Sequence, residues 1–308
     1  MIWVATALAL AGLAALPFAI EARKRPVDPQ ALVREGGEIA PLRHGATWYR
    51  WHGDGPGPVL VLVHGLSTPS WVFSGLTDGL AGLGFRVLRY DLYGRGRSAR
   101  PAAVHDRALF TAQLGGLLDH LGIDEPVTLL GYSMGGAIAT CFAAGHPGRV
   151  ARLILLAPAG MAYAPAPLLA RAARWGLVGD WLWLLAGGRH LCRGARAEAP
   201  RATAIPDLAE RIAREVATRG YLPAILSSER HMLTELLEAE HRQVRDHGLP
   251  VLAIWGARDT VIPPPAISKL TEWNRRARHV VVPDASHALG YTHPAQVLAA
   301  LKAEPSAP

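Results

Sequence analysis

Ser133 sits in Gly131-Tyr132-Ser133-Met134-Gly135-Gly136, between the apolar run VTLL and the Ala-rich stretch AIATCFAAGH. Glycines at both flanks suit a strand-to-helix turn too tight for side chains, the setting of a G-x-S-x-G nucleophile elbow. Such a turn exposes the serine hydroxyl above a sheet, and the following helix aims its first amides at a developing oxyanion. A serine nucleophile needs a base, and the base needs an orienting carboxylate. Asp259 closes the run PVLAIWGARD, before the turn TVIPP. His287 lies four residues beyond Pro283 in VVVPDASH, so it follows the last strand-like run. His293 is the alternative base and Asp284 the alternative acid; a helix-start histidine and a turn aspartate are their plainer readings. His279 falls at the opposite end of its run, and His64 reads as a packed turn histidine that supports its loop. That loop, His64-Gly65-Leu66, supplies a second amide: the N–H groups of Leu66 and Met134 are the expected oxyanion hole, each worth about 3 kcal/mol in the transition state.

The elements that must position these residues are legible as short apolar runs at 58–65, 85–94, 126–135, 151–160, 250–259 and 279–287. Unbroken apolar runs suit strands buried on both faces of a parallel sheet. Helix-length segments at 72–83, 106–121 and 135–146 separate them, and that alternation predicts βαβ units: an α/β fold with a mostly parallel central sheet flanked by helices. From Met161 to Gly248 the rhythm stops for 88 residues. A structureless loop of that length is implausible. Helical stretches at 206–219 and 223–246, with the aromatic WGLVGDWLWLLAGG at 175–188, predict a helical cap over the carboxyl ends of the strands. Trp175, Trp181 and Trp183 fit a cap core, an acyl pocket or a bilayer surface; Cys141 fits core packing.

Residues Ile2 to Ile20 run 19 positions without a charge, about 28 Å of helix, close to a bilayer's hydrocarbon thickness. No basic residue precedes the run and no convincing small-x-small site follows it, which favours a retained anchor over a cleaved signal or a soluble amphipathic helix. Arg23, Lys24 and Arg25 follow it, so the positive-inside rule expects the catalytic domain on the cytoplasmic side. The expected organisation is an anchor (1–25), a linker and lead-in (26–47), a core (48–160 and 249–303), a cap (161–248) and a tail (304–308).

Composition excludes other classes. With 308 residues, 50% hydrophobic and 19% charged, the chain is too apolar for intrinsic disorder. The net charge of +7 comes from dispersed residues, 29 Arg and three Lys, with no long basic run, so no nucleic acid partner is expected. Two distant cysteines build neither a disulfide framework nor a zinc site, and the chemistry read here requires no cofactor.

The motifs HGL (64–66), RYDLYGRGRS (89–98), GYSMGG (131–136), GARDTVIPP (256–264) and ASH (285–287), in this order, resemble the α/β-hydrolase superfamily over roughly 48 to 303. The resemblance implies a triad of Ser133, Asp259 and His287, with 91–98 as a structural loop. The serine separates the chain from epoxide hydrolases and haloalkane dehalogenases, which use aspartate there. HGLSTPSW (64–71) partly resembles the oxyanion loop of carbon–carbon bond hydrolases but lacks their glycine-rich continuation. An anchor with a helical cap is similar to monoacylglycerol-lipase-like enzymes. The expected activity is hydrolysis of a carboxylic ester with a hydrophobic acyl group, with a small-molecule or lipid ester, and the membrane through the N-terminal helix, as partners. Carbon–carbon bond, thioester and perhydrolysis chemistry on the same triad stay open, as does a non-enzymatic ligand-binding module on this fold.

Overall fold

The computed structural model describes residues 1–27 and 36–303; the expected tail and part of the expected linker lie outside them. The strands are β1 (Glu38–Leu42), β2 (Gly45–His52), β3 (Val59–Val63), β4 (Arg86–Tyr90), β5 (Val127–Tyr132), β6 (Val150–Leu156), β7 (Val251–Gly256) and β8 (Arg278–Val282). They form one eight-stranded sheet in the order β1-β2-β4-β3-β5-β6-β7-β8. β1 and β2 pair antiparallel, β2 joins β4 antiparallel, and every other pairing is parallel. All six residues of β5 are buried, as a strand covered on both faces requires. Alternation along β3 divides the core: Val61 and Val63 point into one hydrophobic layer and Leu60 and Leu62 into the other.

The sheet starts earlier than a core boundary at 48 allows, because β1 and β2 already belong to it. Their sequence reads weakly as strand, since β1 carries Pro41, which is tolerated on an edge strand and not in a central one.

The helices are α1 (Ile2–Arg23), α2 (Thr77–Gly82), α3 (Arg107–His120), α4 (Met134–Gly145), α5 (Pro167–Arg174), α6 (Gly176–Glu198), α7 (Leu208–Val216), α8 (Tyr221–His231), α9 (Glu238–Asp246), α10 (Pro265–Trp273), α11 (Leu289–Thr292) and α12 (Pro294–Lys302). Asp106 caps α3 by accepting the Leu109 N–H at 2.9 Å. The stretch 72–83 divides into a 3₁₀ turn at Ser70–Phe73 and α2.

The insert between β6 and β7 is helical, with its own small core of Leu169, Trp183, Tyr221, Leu222, Ile225 and Leu226. It is narrower than 161–248. The stretch 223–246 is two helices, because Leu237 N–H bonds to Gly160 O at 2.8 Å and pulls the chain back to the end of β6. α9 then packs beside α4 as a flank of the sheet rather than as cap. α1 lies against α6, and among the described residues it alone is long and apolar enough to cross a membrane.

Candidate active site

The turn from β5 into α4 places Ser133 at φ 56° and ψ −120°, a conformation that costs an L-residue about 1–3 kcal/mol. Close packing explains the neighbouring glycines. A Cβ on Gly131 would stand 2.4 Å from Gly135 O, and one on Gly135 would stand 2.0 Å from Val63 O. Backbone bonds hold the strained residue: Ser133 N–H donates to Leu156 O at 2.9 Å, and Ser133 O accepts from Gly136 at 2.9 Å and Ala159 at 3.0 Å.

His287 follows β8 and brings Nε2 to 2.9 Å from Ser133 Oγ. Its Nδ1 lies 2.8 Å from Asp259 Oδ2. Asp259, in the turn after β7, uses its other oxygen to accept the N–H groups of Val261 and Ile262, both at 2.8 Å. These bonds lock the carboxylate, and with Nδ1–H donating to it, Nε2 is left as the acceptor facing the serine. The Asp259 side chain is 3% exposed and that of His287 is 20% exposed, so the acid is sealed while the base stays reachable.

The loop expected to supply the Leu66 amide lies against Ser133: a Cβ built on Gly65 would meet Ser133 Cβ at 3.2 Å. Met134 is the first residue of α4, so its N–H has no acceptor within the helix. His64 is fully buried and structural. Its Nε2 accepts the Leu92 N–H at 2.8 Å, its Nδ1 donates to Gly65 O at 2.9 Å, and burial pushes its pKa down to about 3. Asp284 forms a surface ion pair with Arg258 at 2.7 Å. His293 caps α12 and meets Thr292 Oγ1 at 2.8 Å. His279 lies inside β8, with Nδ1 accepting from Trp255 Nε1 at 3.1 Å. None of the three joins the hydrogen-bonded line through Ser133. Among the described residues no group of three His, Cys, Asp or Glu converges as a metal site.

Two supporting residues escape sequence reasoning. Tyr132 occupies the wildcard position of the elbow; its hydroxyl donates to His287 O at 3.0 Å and its ring lies 5.5 Å from the imidazole. Arg95, fully buried, donates from Nε to Leu66 O at 2.9 Å, from Nη1 to Tyr93 O at 3.0 Å and from Nη2 to Ser228 Oγ at 2.8 Å. It thus joins the 64–66 loop to α8 of the cap, and Tyr221 adds a second tie by donating to Ser67 O at 2.6 Å. Neither has a signal in local spacing, although Arg95 stands in the 91–98 loop the motifs single out. A cavity of about 320 Å³ opens beside His287, lined by Ser67, Leu191, Ala195, Leu208, Ile212 and Tyr291. Cap helices α6 and α7 thus wall the site.

The chemistry available is attack by Ser133 on an electrophilic carbonyl, with His287 taking the proton. Comparison with known proteins agrees at the level of family. The family described as alpha/beta hydrolase fold matches residues 58–294. An uncharacterised protein of Mycobacterium tuberculosis is 30% identical over 233 residues, which cover 68% of this chain and 64% of that protein, so the likeness spans less than two thirds of the relative's length. Pimeloyl-[acyl-carrier protein] methyl ester esterase of Aeromonas hydrophila is 30% identical over 79% of this chain and 94% of its own. The enol-lactonase of Burkholderia xenovorans superposes with a TM-score of 0.70 at 25% identity, covering 86% of this chain and 98% of that one. With the family match extending over most of the chain, this chain belongs to the α/β-hydrolase fold family.

Proposed function

We propose that this chain is a serine hydrolase that cleaves carboxylic esters carrying an apolar acyl group. The observation that carries the reading is the continuous line Ser133 Oγ–His287–Asp259, with links of 2.9 and 2.8 Å. His287 Nε2 takes the serine proton as Oγ attacks the ester carbonyl, and Asp259 stabilises the imidazolium that forms. The amides of Leu66 and Met134 hold the oxyanion. Collapse of the tetrahedral intermediate expels the alcohol, which takes its proton from His287 and leaves Ser133 acylated. Water, deprotonated by the same imidazole, then releases the acid and restores the serine. No step needs a metal or organic cofactor. Leu191, Ala195, Leu208 and Ile212 of α6 and α7, in a cavity that His190 and Glu198 also line, support the acyl preference, and the two relatives named for an ester and a lactone support the bond type. We further propose that α1 is a retained anchor, with the basic run Arg23–Arg25 holding the catalytic domain on the cytoplasmic side.

Fluorophosphonate labelling of the native protein and of Ser133→Ala tests the mechanism, because the probe reports a serine activated by a working base. Labelling confined to the native chain, followed by turnover of an ester series graded by acyl length, is the expected result. A folded native protein that stays unlabelled overturns the proposal. Turnover of short-chain esters with none of a monoacylglycerol overturns the acyl preference alone.

A further inference from the structure

α1 and α6 run side by side in the same direction. Leu10, Leu13, Ala14 and Phe18 share one groove with Leu177, Val178 and Trp181. Farther along, Pro17, Ile20 and Lys24 share another with Leu185, Arg189 and Arg193. Trp181 Nε1 donates to Leu13 O at 3.3 Å, which sets the register. Neither helix covers the other's apolar face. On α1, Leu13 is 56% and Ile20 49% exposed; on α6, Leu177 is 79%, Val178 64% and Leu185 41% exposed, with Trp175 beside them at 53%.

The two helices also change character at one level. α1 is apolar through Ile20 and then reads Glu21, Ala22, Arg23, followed by Lys24, which pairs with Glu21 at 2.7 Å, and Arg25. α6 carries a single charged residue from Gly176 to Gly188, Asp180, which pairs with Arg230 of α8 at 2.6 Å. It then presents exposed Arg189, Arg193 and Arg196, and all three share the groove that holds Lys24. The 13 residues Gly176–Gly188 extend about 20 Å, enough to pass through one leaflet's hydrocarbon and into its headgroups. An apolar segment ending in cations at the height where its neighbour also turns cationic is the pattern a leaflet with anionic headgroups selects.

We infer that the first half of α6 enters the same bilayer as α1, so that the cap is seated in one leaflet and the arginine turn of α6 meets the lipid phosphates. Leu191, Gly194 and Ala195 on the other side of that turn line the catalytic cavity, so its wall stands at headgroup height. The inference rests on the proposed ester hydrolysis and narrows its substrate class to lipid esters drawn from that leaflet, whose carbonyls lie at the same depth.

The full chain, carrying Cys192→Ser to remove the more accessible native thiol, is given one cysteine at a time: Leu177→Cys, Arg196→Cys, or Gly148→Cys, the last an exposed site beyond α4. Each is labelled with an environment-sensitive fluorophore and bound to phosphatidylcholine–phosphatidylglycerol vesicles holding nitroxides in the acyl chain or at the headgroup. The Leu177 label should be quenched roughly twofold more by acyl-chain than by headgroup nitroxides, the Arg196 label should show the reverse, and the Gly148 label should respond to neither. A Leu177 label open to aqueous iodide and untouched by lipid nitroxides overturns the inference. So does one shielded from both, with a doubled mass in detergent, which assigns the face to a second copy. Leu177→Asp with Val178→Asp should lower hydrolysis of a vesicle-borne long-chain ester about tenfold and leave a soluble short-chain ester unchanged. Fluorophosphonate labelling of the same samples separates the two proposals. Lipid-quenched Leu177 with unlabelled Ser133 sinks the hydrolase reading alone, and labelled Ser133 with iodide-quenched Leu177 sinks the leaflet reading alone.

Discussion

Asp259→Asn changes one atom's chemistry and leaves the side chain's shape, so its effect can be worked out from the bonds around it. Asp259 faces three donors: the N–H groups of Val261 and Ile262 on Oδ1, and His287 Nδ1 on Oδ2. An asparagine offers one acceptor and one donor there. Its oxygen stays with the two backbone N–H groups, because the flipped amide would set a donor against both. The NH₂ then faces Nδ1, and two donors in contact leave a buried bond unmade, at about 1–3 kcal/mol. The imidazole escapes this by moving its proton to Nε2. That nitrogen faces Ser133 Oγ at 2.9 Å, and once protonated it cannot accept the serine proton. The variant also loses the anion that stabilises the imidazolium. A fall in kcat of about 10⁴-fold, roughly 5 kcal/mol, is expected. Stability should move far less, since removing a buried anion offsets the weakening of its two backbone bonds. The assay is kcat on a soluble ester for Asp259→Asn and Asp259→Ala, with the near-ultraviolet circular dichroism of each. A folded Asn variant that keeps more than about a tenth of the native rate refutes the tautomer argument. So does an Asn variant far more active than the Ala variant, because loss would then track packing instead.

In Gly135→Ala the new Cβ meets backbone oxygen at 2.0 Å on Val63 and 2.5 Å on His64, so the elbow must shift; a loss of about 3 kcal/mol or more is expected in urea unfolding, and native-like stability would contradict the packing argument. Tyr132→Phe removes the donor to His287 O and should cost about 1 kcal/mol in the same assay, with kcat lowered several-fold; an unchanged kcat would show that the hydroxyl does not hold the base in place. Burial in the cap raises the Glu229 carboxyl from 4.5 to about 7, while the Tyr163 hydroxyl donates to it at 2.8 Å. Between those values the folded chain holds a proton the unfolded chain has released, so this residue's contribution to stability falls as pH rises from 4.5 to 7. Glu229→Gln should therefore match the native protein at about pH 4.5 and exceed it above pH 7. Urea midpoints at both ends check this, and a native chain that gains on the variant as pH rises would reverse the sign.

The parts of the fold that the residues announced are those whose contacts are local or periodic. β3 and β5 are buried on both faces, and an unbroken Val/Leu run records that directly. The elbow was legible because the atoms that forbid a side chain at Gly131 belong to Gly135 and Gly136, a few positions away. Chain order singles out His287 and Asp259 as candidates and leaves His293 and Asp284 open. Only the placement of His293 as a helix cap and of Asp284 in a surface ion pair set them apart. Arg95 and Ser228 lie 133 positions apart, and no local spacing encodes such a contact. β1 was missed for the opposite reason: a five-residue edge strand with an internal proline has too little apolar pattern to be seen, and its pairing with β2 supplies what its sequence lacks.

The cap shows a deeper limit. A helix apolar around its whole circumference is either surrounded by protein or immersed in lipid, and Gly176–Gly188 meets that description apart from Asp180. The residues alone therefore state that something covers α6 without stating what. Trp183 is fully buried, its indole donating to Leu222 O at 2.9 Å, so one side is answered by the cap's own core. Trp181 turns to α1 and Trp175 to neither. Three tryptophans that read alike in sequence thus have three surroundings, and the difference is set by where α8 and α1 lie. Burial in α8 accounts for Trp183, and packing on α1 for Trp181. What remains is the exposed apolar edge from Trp175 to Val178, at the start of α6 and directly after the exposed Arg171 and Arg174 of α5. In the leaflet inference that edge belongs to lipid, and the nitroxide quenching of a Leu177→Cys label decides whether lipid is what covers it.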